Sequence, residues 1–356
     1  MNLFYASSIT YPSTYANRLQ VLYTAEALAR AHTAFVLGCN ALDPKNGIYT
    51  HAVVAFLTAR SPLLAWKQLS YMRRNAVDTV YCREHALLFL LMVYNRVFFR
   101  LPLRFFYEAH TIHPGRRFDF VIKHSAHVFC ITNGLGLDLK KRYPATSMST
   151  LPDGVDVEAF TGSFDKKAAR VRYGLPQDAF IATYVGSVDT HHWKGVDVFL
   201  ESQTSMDESV LCVVAGAEKA ERVRLEALYD PRALRVMERV DRKAAVELMR
   251  LSDVLVLPNR SGPVISERYT SPLKMFEYMA SGVPIVASDL PSIREVLGDD
   301  SATLVKPNDP SALASAINEV RADSAAARER AERARLLAAR YSWNTRARTI
   351  LAELTT

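Results

Sequence analysis

"ERYTSPLKMFEYMASGVPIVASDLP", residues 267–291, holds a helix start, a helix stop and a buried strand in one short run. Ser271 is the expected N-cap, Pro272 suits a first turn where no intrahelical donor is needed, and Gly282 followed by Pro284 ends the helix. "VPIVAS" then reads as a fully buried strand. Two charges are out of place in such a unit. Lys274 falls in the first turn, where a cation opposes the helix dipole, and Glu277 lies six residues past Ser271, about 9 Å along the axis. One reading is an exposed i,i+3 ion pair. The other is a phosphate site at the helix N-terminus, with Lys274 adding a full charge and Glu277 reaching a sugar hydroxyl.

The same strand-then-helix rhythm extends outward over the chain, as expected for βαβ units with a parallel sheet covered on both faces. A first series has strands near residues 2–7, 33–38, 78–83, 105–110 and 127–132, with a helix near 16–30. A second has strands near 180–187, 210–216, 254–259, 283–288 and 302–307, with a helix from about residue 195. "LPDGVDVEAF", residues 151–160, carries a Pro-Asp-Gly turn signal between them. Ligands of open α/β sheets bind beyond the carboxyl ends of the strands, which directs attention to Arg83, His110, Ser187 and the run after Pro258.

A chain of 356 residues exceeds what one core usually serves, so two α/β domains are expected. Charge is unevenly spread: residues 1–150 hold 17 Lys and Arg against 7 Asp and Glu, although the net charge of the whole is +7. The basic half should face something anionic, either a phosphorylated substrate or an acidic membrane surface. "YNRVFFRLPLRFF", residues 94–106, interleaves Arg96, Arg100 and Arg104 with aromatics. That pattern suits the headgroup layer of an anionic bilayer, and equally a helix-to-strand connection with solvated arginines. Nucleic-acid binding is not expected, because the arginines form no recognisable module. "ALLFLLMVY", residues 86–94, is too short to span a bilayer and reads as a core helix.

Cys39, Cys82, Cys130 and Cys212 form no CxxC pair, and the Cys82/His85 and His127/Cys130 spacings put side chains on opposite faces of a strand, so no zinc site is expected. The start "MNLFYASS" has no basic or long apolar leader and predicts no secretion. "NGLGLDL" is the nearest approach to a dinucleotide-binding glycine turn, and Leu139 stands where a third small residue belongs, which argues against an NAD enzyme.

The string "SPLKMFEYMASGVPIVASDLPSIREVL" resembles the donor-binding segment of the retaining family 4 glycosyltransferases (glycosyl transferases group 1), whose GT-B fold has two facing Rossmann-like doubly wound domains with a central cleft. "YVGSVDTHHWKGVDVFLES" is similar to the family's glycine loop and Lys-Gly motif, and "SDVLVLPN", "LPDGVDVEAF", "FYEAHTIH" and "YSWNTRA" match in the right order. The resemblance implies an acceptor-side domain over residues 1–152, a nucleotide-sugar domain over 153–340, and a helix over 341–356 that returns to the first domain, with the two domains closing on the donor. It implies that Glu277 binds the nucleotide ribose, that the segment of Ser271, Pro272 and Leu273 holds the diphosphate through its amides, Pro272 itself having none to give, and that Lys194 neutralises the phosphate as the donor bond breaks. His110 would lie beside the transferred sugar, and no metal or other cofactor would be needed.

The expected activity is retaining transfer of a hexose from a GDP- or UDP-sugar to a saccharide acceptor, lipid-linked, in bacterial surface polysaccharide or glycolipid synthesis. The expected place is the cytoplasm, peripheral on the inner face of the membrane. Three departures stand out. Tyr269 occupies the position of the family's earlier glutamate, with Glu267 two residues away; Ser187 replaces an arginine; and "SSITYPSTYANR", residues 7–18, replaces a glycine-rich turn. Phosphate stabilisation then shifts toward Lys194 and Lys274, and Arg83, Asn17 and Tyr269 are candidates for the acceptor or sugar side. His113, His191 and His192 read as loop polar residues. A sugar-nucleotide epimerase on the same fold and a non-catalytic sugar-nucleotide-binding protein are the alternatives.

Overall fold

The computed structural model describes residues 1–11, 16–42, 53–58, 61–188 and 192–355. The chain divides into two compact units: Met1–Asp153 with Trp343–Thr356, and Gly154–Ser342.

The first unit carries a seven-stranded parallel sheet of β1 (Leu3–Ala6), β2 (Phe35–Cys39), β3 (Val53–Ala55), β4 (Thr79–Cys82), β5 (Arg104–Ala109), β6 (His127–Cys130) and β7 (Met148–Thr150), in the order β3-β2-β1-β4-β5-β6-β7. β1 pairs in parallel with β2 on one side, Tyr5 opposite Leu37, and with β4 on the other, Tyr5 opposite Tyr81. The connections reverse direction at β1, so the crevice between the ends of β1 and β4 is the topological switch point. β1 and β4 are buried along their whole length, the pattern of strands covered on both faces. The helix Trp343–Thr355 belongs to this unit and packs its Trp343 ring on Tyr23 of the helix Ala16–Ala31, centroids 5.6 Å apart.

The second unit carries a six-stranded parallel sheet of β8 (Phe180–Val185), β9 (Val210–Ala217), β10 (Leu234–Glu238), β11 (Val254–Leu257), β12 (Ile285–Ser288) and β13 (Thr303–Val305), in the order β10-β9-β8-β11-β12-β13. Its switch point lies between β8 and β11. Strand alternation divides its apolar residues into two cores: Ile181, Val185, Leu211, Val213, Leu255 and Leu257 on one face, and Ala182, Tyr184, Cys212, Val214, Val254 and Val256 on the other. The short strands β3, β7 and β10 were not foreseen in the sequence, being too short or too polar for a periodic signal.

Two local expectations need correction. The helix of the opening segment spans Leu273–Ser281 with Pro272 in extended conformation at the N-cap, so Ser271 lies one residue before the cap. Gly282 ends it as foreseen, in left-handed conformation at φ 68°. In the basic aromatic run, Phe105 and Phe106 are strand β5 core residues, and Arg104 stacks on Phe106 and donates to the Leu354 carbonyl. The surface part of that run is the π-helix Asn95–Phe99, a continuation of the helix His85–Tyr94. "NGLGLDL" starts the helix Asn133–Arg142, capped by the Thr132 hydroxyl, and is no phosphate turn. The four cysteines are free and buried. Among the described residues no helix is long and apolar enough to cross a membrane.

Candidate active site

In the second unit the switch point is built from glycines, lysines and one helix start. β8 runs out at Gly186, φ +152°, where a Cβ would lie 2.9 Å from the Lys274 Nζ. Ser187 follows, and its hydroxyl takes a hydrogen bond from the Lys194 ammonium. Lys194 is presented by the short turn His192–Lys194, which Gly195 presses onto the end of β11: at φ +69°, a Cβ there would stand 1.8 Å from the Pro258 carbonyl oxygen. Only glycine permits both that dihedral and that approach. The Trp193 carbonyl completes the junction by accepting from the Arg260 amide at 2.8 Å.

The helix Leu273–Ser281 delivers Lys274 to the same place. Its Nζ is buried, lies 3.8 Å from the centroid of the Tyr184 ring and has no hydrogen-bond partner among the described residues. Burial first, and then the Lys194 ammonium, push the Lys274 amine well below the ordinary lysine range, against the opposing pull of Glu277. Ser187, Lys194 and Lys274 are therefore brought together. Glu277 does not pair with Lys274. Its carboxylate accepts instead from Arg242, at the start of the helix Arg242–Leu251, whose guanidinium also sits over the Phe160 ring. The i,i+3 ion pair is thereby replaced by a contact 35 residues apart.

At the end of β11 the Asn259 side chain is buried with neither amide atom hydrogen-bonded among the described residues. Such an orphan pair is unusual, since buried amides are nearly always satisfied. Tyr269 closes the π-helix Ile265–Tyr269, half-buried, and Glu267 is occupied locally, accepting from the Gly262 amide at 2.7 Å. Ser271 is buried just ahead of Pro272 and Leu273. His191 lies outside the described residues, and His192 is exposed with Nδ1 3.4 Å from Asp197.

In the first unit His110 follows the end of β5, and its Nε2 is 2.6 Å from Oε1 of Glu108, two residues back on the same strand face. Glu108 is fully buried, yet it accepts from Gln20 Nε2 at 2.8 Å and from the Tyr81 hydroxyl, and it is ion-paired with Arg346, whose Nη2 lies 2.8 Å from Oε2. Burial alone would raise this carboxyl; the Arg346 guanidinium and the His110 hydrogen bond outweigh it and hold it down at about 2. An ionised carboxylate only accepts, so Nε2–H of His110 donates and Nδ1 is left as an acceptor. Burial, followed by Arg83, lowers the His110 pKa and keeps the ring neutral.

Gln20 Nε2 also donates to Asp153 at 2.5 Å, and burial raises the Asp153 carboxyl. Arg83 is half-buried at the end of β4. With Ser8, Ile9, Arg18, Val21 and Glu84 it lines a cavity of about 260 Å³ at the switch point. Asn17 is in the helix Ala16–Ala31, its side chain outside what the structure describes. The His113 ring stacks on His85, centroids 4.0 Å apart.

Sequence reading missed Glu108, Arg346 and Arg242, and met Asn259 only as part of the run after Pro258. Glu108 carried a signal, since a residue two before His110 on a strand must share its face. Arg242 carried none, and Arg346 stood unremarked inside "YSWNTRA".

Residues 179–323 match the family model described as glycosyl transferases group 1. The chain is 29% identical over 186 residues to the phosphatidyl-myo-inositol mannosyltransferase of Mycobacterium tuberculosis, an alignment covering 50% of this chain and 46% of that protein. It thus spans about half the length of the curated relatives it matches. Among solved structures, Anabaena HepE in complex with UDP superimposes with a TM-score of 0.80 at 16% identity over 100% of both chains. WaaG, a glycosyltransferase involved in lipopolysaccharide biosynthesis, does so with a TM-score of 0.71 at 15% identity over 99% of each. At these identities the likeness establishes the fold.

Proposed function

From the premise that this chain carries a glycosyl transferases group 1 segment on a GT-B fold, we propose that it is a retaining glycosyltransferase that moves a hexose from a UDP- or GDP-sugar to a saccharide acceptor, lipid-linked, in surface polysaccharide or glycolipid synthesis. The observation that carries the reading is the convergence of Ser187, Lys194 and Lys274 at the carboxyl end of β8, beside the start of the helix Leu273–Ser281. Two amines and the free N–H groups of a helix N-terminus make a site for a diphosphate. The UDP held by the Anabaena neighbour is consistent with such a donor.

In this reading the leaving diphosphate gains charge as the glycosidic bond stretches toward an oxocarbenium-like transition state, and Lys194, Lys274 and the helix amides stabilise that charge. The chemistry then needs no metal ion. Glu277 takes a ribose hydroxyl, with the segment Ser271, Pro272 and Leu273 placing the phosphates. The neutral His110, its Nε2–H committed to Glu108, offers Nδ1 to a hydroxyl of the transferred sugar, while Arg83 and its cavity serve the acceptor side with Asn17. Tyr269 stands on the sugar side.

Screening the purified protein against UDP- and GDP-sugars for thermal stabilisation and slow donor hydrolysis tests this directly. A true donor at a hundred times its Kd should stabilise the fold by about 2.7 kcal/mol. Failure of every nucleotide sugar and nucleoside diphosphate to bind would reject the reading. Glu277→Gln should weaken nucleoside diphosphate affinity by roughly ten- to a hundredfold, the worth of a hydrogen bond to a charged group. Calorimetry showing unchanged affinity would remove Glu277 from the ribose.

A membrane-surface acceptor is supported by the first unit itself. Leu63, Trp66, Val97 and Phe98 are exposed large apolar residues, the Trp66 and Phe98 rings are 5.4 Å apart, and Arg73, Arg96 and Arg100 are exposed around them. Aromatic anchors among arginines fit an anionic headgroup layer, and the named acceptor of the mycobacterial relative is an anionic phospholipid. Wild type should sediment with vesicles containing anionic lipid, less so at high salt, and Trp66→Ser with Phe98→Ser should abolish binding without altering nucleotide affinity. Equal sedimentation of the double variant would assign the patch elsewhere.

A further inference from the structure

The Lys274 amine is held where an ammonium is poorly supported. Its Nζ is cut off from solvent, faces the Tyr184 ring and Gly186, and makes no hydrogen bond among the described residues. From the neighbouring turn it meets Lys194, another cation, whose own ammonium is directed to Ser187. On its own helix the acid within reach is Glu277, whose carboxylate is already engaged by Arg242 from the helix Arg242–Leu251. The Tyr184 hydroxyl, for its part, donates to the Ser187 carbonyl at 3.3 Å.

An unpaired buried charge loses its whole hydration shell, and a single ring face returns only part of what is lost. Repulsion from Lys194 adds to the cost. Releasing the proton is the cheapest escape, because a neutral amine loses little by burial. A diphosphate placed at the helix start reverses each of these factors, since it supplies oxygens within reach and a negative charge that offsets both amines.

We infer that binding of a nucleoside diphosphate to the second unit is coupled to uptake of one proton from solvent by Lys274, so that the ligand itself creates the second positive charge of its site. The inference rests on the donor reading above and adds to it a sign and a stoichiometry. The amine gains the proton on binding and returns it when the nucleotide leaves. Nucleotide affinity must therefore fall as pH rises, by up to about tenfold per pH unit, wherever Lys274 is neutral in the free protein and charged in the complex.

Calorimetric titration of the intact chain with UDP and with GDP near pH 8, in HEPES and in Tris, measures the coupled proton number. At that pH the terminal phosphate of the nucleotide, with a pKa of about 6, is already ionised and contributes little. Lys274→Arg supplies a permanently charged reference. Wild type is expected to take up close to one proton more than Lys274→Arg, and its Kd to weaken with pH where that of the variant does not. Equal proton numbers and parallel pH profiles would overturn the coupling while leaving the donor site standing. If the arginine variant does not bind, the wild-type proton number alone decides: uptake near pH 8 supports the coupling and its absence defeats it. If wild type binds neither nucleotide, the donor reading falls and this inference with it.

Discussion

Replacing Lys194 by alanine is expected to lower the rate of sugar transfer by roughly two to three orders of magnitude, with a smaller loss of donor affinity. The asymmetry follows from where its charge acts. In the proposed mechanism the diphosphate of the ground state is also held by helix amides and Lys274, so one ammonium contributes modestly to binding. In that mechanism the leaving oxygen gains, as the glycosidic bond breaks, negative charge that the preorganised Lys194 can stabilise most, and removing one such donor from a dry site typically costs about 2.7–4 kcal/mol of activation free energy. The position of this lysine is fixed by the Gly195 turn against Pro258 and by its bond to Ser187, so the charge is in place before the reaction. Steady-state kinetics with the donor found by screening separate the two effects. Near-normal kcat in Lys194→Ala would remove this residue from the chemistry, whatever happened to KM.

Arg346→Met should destabilise the first unit by about 3–5 kcal/mol, because it leaves the Glu108 carboxylate buried without its counter-charge. Both partners are almost wholly inaccessible, and Arg346 also ties Pro152 to the helix Trp343–Thr355 through a 2.9 Å bond to the Pro152 carbonyl. Glu108→Gln combined with Arg346→Met should recover much of the loss, since no unpaired charge then remains. The pH dependence has a definite sign. Glu108 is depressed from its ordinary 4.5 to about 2, so its ionised form stabilises the fold fully above about pH 4.5, and this contribution is lost as pH falls toward 2. In Arg346→Met the depressing charge is gone and burial raises the carboxyl, so the difference in stability between wild type and variant should shrink from pH 7 to pH 3. Denaturant unfolding followed across that range checks it. A difference that stays constant with pH would show that Arg346 contributes by packing and not by pairing with Glu108.

The same substitution reaches the site through His110. Glu108 is the group that fixes which ring nitrogen carries the proton, so a weakened Glu108 frees the imidazole to rotate or change tautomer. Loss of transfer in Arg346→Met should therefore exceed any loss of nucleotide affinity in the second unit.

The sequence by itself determined the architecture and half of the candidate site. Parallel strands buried on both faces are apolar runs whatever surrounds them, so β1, β8, β11 and β12 are visible as composition, and the boundary near residue 153 is visible as a Pro-Asp-Gly turn. The Lys194-Gly195 turn, the Gly282 helix stop and the basic half of the chain were legible for the same reason, each being a local demand of backbone geometry or of charge. Tertiary structure decided the partners. Gln20 meets Glu108 across 88 residues and Asp153 across 133, and Arg346 reaches Thr24 across 322, separations over which no periodicity carries information. Lys274 and Glu277 make the point most sharply. Their spacing on a helix allowed an exposed pair, but packing buried one against Tyr184 and gave the other to Arg242. The spacing of two charges states whether they can meet, whereas their protonation and pairing depend on solvent exclusion and on charges brought from distant segments, and those exist only once the chain is folded.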